Sequence, residues 1–213
     1  MSKPVPPEII ARRSSPAYIR LRITAQYLVL YLLALLLGIL LCSLIDPTVL
    51  PLPQAEIRAH FASPFPTDCT LMDGAEAILA SASGDIRAMF IILASGFTLF
   101  CPLALSLLTA WRGFSLGFVA AWLGNILSAG SFPTDNGIMA FILFLSANGL
   151  AAAALVYLAA RAVCFSHAYR TICGRPKQIL RAPFVRQYLF VYLTMFGFTV
   201  LVHGLYGGLC ALL

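Results

Sequence analysis

Charge is scarce in this chain of 213 residues: Asp, Glu, Lys and Arg together make up 10% of it, where a soluble domain carries about a quarter. With 61% hydrophobic residues beside that shortage, an ordinary water-soluble domain is excluded. Patterns of known catalysis are missing as well. No His-Glu-x-x-His and no paired aspartates at membrane depth occur, and Ser115, Ser146 and Thr98 have no base close in pattern, so no enzyme activity and no catalytic residue is expected. The six cysteines have neither the spacing of a metal site nor that of a disulfide framework; no metal or cofactor is expected. The net charge of +6 is carried by segments flanking apolar runs. It therefore reads as topology and lipid-headgroup contact rather than as a nucleic-acid footprint.

What the chain does have is long apolar runs, over 22–45, 88–110, 114–131, 137–160 and 188–212. Each is near or above the length that crosses a hydrocarbon core of roughly 30 Å. The expected fold is all-α, a polytopic transmembrane helical bundle of five spans forming one membrane domain over 1–213. Segments 1–22, 111–113 and 161–187 hold twelve of the fourteen Lys and Arg and one acidic residue, Glu8. The remaining segments hold Arg58 and Arg87 against seven carboxylates. The positive-inside rule then places the N-terminus in the cytoplasm and the C-terminus outside. The first apolar run is too long for a signal peptide and lacks a small-residue cleavage site, so it is expected to remain as an anchor. Segment 46–85 becomes the extracytoplasmic part, with Gln54 to Phe61 and Thr70 to Ala82 suited to lying along the membrane surface. Gly96 and Pro102 predict a kink within the second span. Trp111 and Arg112 are expected at its inner end, and 161–187 as a basic cytoplasmic loop.

Two local patterns stand out. Arg112-Gly113-Phe114-Ser115-Leu116-Gly117-Phe118 places two glycines one above the other on a helix, where a neighbouring backbone can approach closely. Packing within the bundle is the simpler use of that face, and a partner-binding face, or contact between copies of the chain, is the sharper one. Asn148 is the most polar side chain deep in any expected span, and an amide in hydrocarbon needs a hydrogen-bond partner. Asn125, or backbone freed near Pro102, are the candidates. By this span assignment only His203 is ionisable within the membrane, near an outer end. That argues against an ion-coupled transporter, which usually needs a charged relay.

From Arg112 to Phe118, and on through Val119 to Gly124, the chain resembles the stage II sporulation protein M family. The family's basic residue, Gly, apolar or Ser pair and Gly-Phe opening a helix all have counterparts here. The next span, Phe141 to Ser166, is similar as well, with Asn148 at the family's polar position and Ala147 where the family has proline. The resemblance implies a non-enzymatic membrane scaffold that recruits peptidoglycan hydrolases, stage II sporulation proteins D and P, for septal wall remodelling during forespore engulfment. It also implies the mother-cell engulfing membrane as location. Two alternatives are a permease subunit of a transporter, with Asn148 and the central glycines lining a path, and the membrane subunit of an ATP-driven exporter docking through 161–187.

Overall fold

The computed structural model describes residues 16–45, 71–128, 137–172 and 183–210. Among them the chain forms five helices and no strand: α1 (Pro16–Leu44), α2 (Leu71–Gly96), α3 (Cys101–Ser128), α4 (Gly137–Ile172) and α5 (Pro183–Cys210). Four of these, α1, α3, α4 and α5, are long and apolar enough to cross a membrane. Large apolar side chains such as Leu33, Leu37, Leu44, Leu103, Leu107, Phe190 and Leu201 stand exposed along them. A helix that is apolar all round yet open on its outer face is consistent with lipid contact.

The second and third helices differ from the expectation. The apolar run 88–110 is not one kinked span. The backbone reverses at 97–100, joining α2 to α3 in a hairpin. Backbone bonds from Phe97 to Ala94 and from Thr98 to Ser95 close this turn, at 3.1 and 2.9 Å. Pro102 sits in the first turn of α3, where a missing N–H leaves no bond unmade. Gly96 ends α2 beneath the Tyr188 ring, whose hydroxyl lies 2.8 Å from where a Cβ would stand. The turn is held from α4 by Ser166, which donates to the Thr98 carbonyl at 3.0 Å, and by Arg170, which donates to that of Leu99.

Moving the reversal from 111–113 to 97–100 shifts everything around it. Residues 71–85, expected in the outer segment, are the first half of α2. Arg112 and Gly113 lie inside α3 rather than at a basic turn. Residues 161–172 continue α4 and 183–187 open α5; the rest of the expected basic loop, and 46–70 of the outer segment, fall outside the described residues.

Contacts fix the relative directions. Gly113 lies on Tyr31 and Gly117 on Leu35, so α1 and α3 run parallel. Phe90 meets Phe196, and the Tyr188 hydroxyl donates to the Ile92 carbonyl at 3.3 Å, so α2 and α5 run antiparallel. Helix α4 occupies the middle and touches all four others. Its buried face is built largely of Ala151, Ala152, Ala154, Ala159, Ala160 and Ala162, whose small side chains let helices close in without a large cost in side-chain entropy. At the end of the bundle near the turn, Phe97 sits edge-on to Phe165, ring centroids 5.0 Å apart, and Phe165 stacks on Tyr188 at 4.2 Å. Such pairs add about 0.5–1.5 kcal/mol each beyond the area they bury.

Candidate functional site: a charged cluster inside the bundle

The hairpin sets up the site by register alone. Asp85 lies eleven residues before Gly96 and Arg112 eleven after Cys101, so both stand at the same height on adjacent antiparallel helices. At 1.5 Å rise per residue that height is roughly 16 Å from the turn, near the middle of a hydrocarbon core of roughly 30 Å. Arg112 forms an ion pair with Asp85 Oδ1. Gly84 makes room for it: a Cβ there would stand 3.3 Å from the Arg112 Nη1. The second carboxylate oxygen, Oδ2, lies 2.9 Å from Nε2 of His203 on α5. Asp85 is 2% exposed and His203 4%.

One carboxylate thus ties three helices together. With a neutral imidazole donating Nε2–H to Asp85, the Asp85–Arg112 pair has no net charge, the least costly way to hold ionised groups away from water. His203 Nδ1 is then left as an acceptor with no hydrogen-bond partner among the described residues. Tyr192 Oη and Thr199 Oγ1 on the same helix are also buried without one.

Beside the ion pair is a cavity of about 220 Å³, whose polar lining is Tyr31, Asp85, Arg112, Ser115 and Asn148 and whose apolar wall includes Leu116, Phe144 and Leu155. Asn148 does not bond Asn125 or the backbone near Pro102. Its Nδ2 donates to the Phe144 carbonyl on its own helix at 2.9 Å, while the Pro102 carbonyl accepts from the Tyr27 and Ser106 hydroxyls. A helix can satisfy its own amide one turn back, so no second helix was required.

The other residues singled out by sequence lie next to this cavity. Gly113 and Gly117 face α1: a Cβ on either would run into the carbonyl oxygen of Tyr31 or Leu35. A third glycine, Gly38 on α1, meets Phe114 and Phe118 backbone from the other side. Phe114 and Phe118 are half-buried and stack on each other, 6.3 Å between ring centroids. The glycine face is therefore covered within the chain.

The expectation of a single ionisable residue at membrane depth is overturned by Asp85 and Arg112. Reading 88–110 as one span had put one of them outside and the other at the inner rim. The signal for the correct register was present: Ser95-Gly96-Phe97-Thr98 followed by Pro102 is turn chemistry, and folding about it sets residue 85 beside residue 112. Among the described residues no group of three or more His, Cys, Asp or Glu is placed to hold a metal.

Fold and cluster together define a multi-pass helical membrane protein with ionised side chains inside its bundle. Comparison with protein-family models, with curated proteins and with solved structures returns no match.

Proposed function

We propose that the chain is a non-enzymatic scaffold of the bacterial cell membrane, with five spans, α2 among them, a cytoplasmic N-terminus and an extracytoplasmic C-terminus. By its resemblance to the stage II sporulation protein M family, it recruits peptidoglycan hydrolases, stage II sporulation proteins D and P, at the engulfing mother-cell membrane. The observation that carries the reading is that both Asp85 oxygens are engaged within the bundle, one by Arg112 and one by His203. A cluster whose charges are paired serves to fix helix positions, whereas a transport site must leave charge free for its solute. The segment that carries the resemblance is likewise used in architecture: Arg112 holds α2 while Gly113 and Gly117 admit α1. Because α1 covers that glycine face, partner contacts fall to other surfaces, the outer segment before α2 first among them.

A second reading, a permease subunit, is favoured by the cavity, because Arg112, Ser115 and Asn148 line a space open to a small polar solute. Two variants separate the readings. Replacing a buried charged set by apolar residues of similar volume is often neutral or stabilising, while removing one member is not. The triple variant D85L/R112M/H203L is expected to fold and to co-purify the same hydrolases as the parent, as identified by mass spectrometry. Loss of those partners from a folded triple variant would overturn the scaffold. Loss of uptake in a folded Asn148→Leu variant would establish the permease in its place.

A further inference from the structure

At the end of the bundle where α1 and α5 begin, near the 97–100 turn, lies a second polar cavity of about 160 Å³ between α1, α4 and α5. Two guanidinium groups line it, Arg20 from α1 and Arg161 from α4, together with the Cys164 thiol. Neither has a carboxylate: among the described residues the ion pairs are those of Asp85 with Arg112 and His203. Gln187 adds an amide, and the Phe165 and Phe184 rings form an apolar wall. Like charges brought together without a counterion repel unless an anion joins them. Two arginine forks above aromatic and aliphatic surface match one chemistry, a phosphate with hydrocarbon attached.

We propose that this cavity binds the headgroup phosphate of an anionic phospholipid, held by Arg20 and Arg161, with its acyl chains lying on the apolar outer faces of α1 and α5. Helix α1 makes its main contacts with α3, and the lipid adds a bridge from α1 to the α4–α5 pair. The site is separate from the Asp85 cluster and stands whether the protein is a scaffold or a permease. It also differs from general attraction of basic helix ends to a charged surface, because it requires two particular arginines on different helices.

Native mass spectrometry of the purified full chain, titrated with phosphatidylglycerol, cardiolipin or phosphatidylcholine, tests this. Phosphatidylglycerol and cardiolipin are expected to remain bound to the parent where phosphatidylcholine does not. R20Q/R161Q is expected to weaken their binding about thirty-fold, from about 1 kcal/mol for each basic residue. The charge-matched control R22Q/R186Q, at exposed positions near the ends of α1 and α5 that do not line the cavity, is expected to leave it unchanged. Equal loss in the control would reduce the effect to surface charge and overturn the site. Displacement of the lipid by inorganic phosphate at millimolar concentration would show a site for free phosphate and overturn the lipid assignment. Should the double variant not purify, Arg20→Gln alone, at an exposed position, gives the same comparison with a smaller expected loss.

Discussion

Asp85 is a carboxylate reached from two sides, and its environment decides what each neighbouring residue is worth. Changing it to Asn keeps the shape but leaves Arg112 charged, 29% exposed and without its counterion. Breaking a buried pair in this way typically destabilises by about 3–5 kcal/mol. Asp85→Asn and Arg112→Gln are each expected to show that loss in thermal unfolding of detergent-solubilised protein, and the pair of changes together less than the sum. Full additivity would mean the two side chains do not interact. His203→Phe is expected to be milder, since it removes a hydrogen bond to Asp85 and strands no charge.

Among the elements, α3 is where the sequence is densest in information. Its glycines are spaced for close approach, and that much is legible from Gly113 and Gly117 alone; the acceptor surface on α1, with Gly38 reciprocating, is not, because a Leu-rich helix shows no local sign of which face is covered. Gly117→Val would place methyl groups against the Leu35 carbonyl, and overpacking of this kind costs typically about 1–3 kcal/mol. A fall in melting temperature is expected, with faster proteolysis of α1 from the rest. The corresponding change at Gly149, which has open space around it, is expected to leave both unaltered. The position of the α2–α3 hairpin was harder to read. Hydropathy runs smoothly from 88 to 110 because the reversal is made by Gly96, Phe97, Thr98, Leu99 and Phe100, residues nearly as apolar as the helices they join. A window that averages hydropathy does not see a turn of that composition. The turn dipeptides do mark it, and they place Asp85 beside Arg112.

For the whole molecule, the long apolar runs pointed to an all-α membrane bundle, and among the described residues every element is a helix and four are long and apolar enough to span. Helix α2 differs from them in carrying Asp73, Glu76, Asp85 and Arg87 along its length. Its inner half is sheltered by α3, α4 and α5, so it need not be apolar on every side. That sheltering is what allows an ion pair at the depth where lipid would not tolerate one. It also constrains the turn: backbone that is not helical is excluded from lipid, so 97–100, with Leu99 and Phe100 69% and 74% exposed, belongs at the membrane surface.

The hairpin register therefore carries the rest, from the paired charges to the proposed topology. Single cysteines at Leu99 and at Trp111, each introduced after the six native cysteines are replaced, report it directly through a membrane-impermeant maleimide applied to intact or inverted vesicles. Leu99→Cys is expected to be labelled, and only from the side that holds the N-terminus, while Trp111→Cys stays protected from both sides. Labelling at residue 111 with protection at residue 99 would restore a continuous span over 88–110 and contradict the charged cluster.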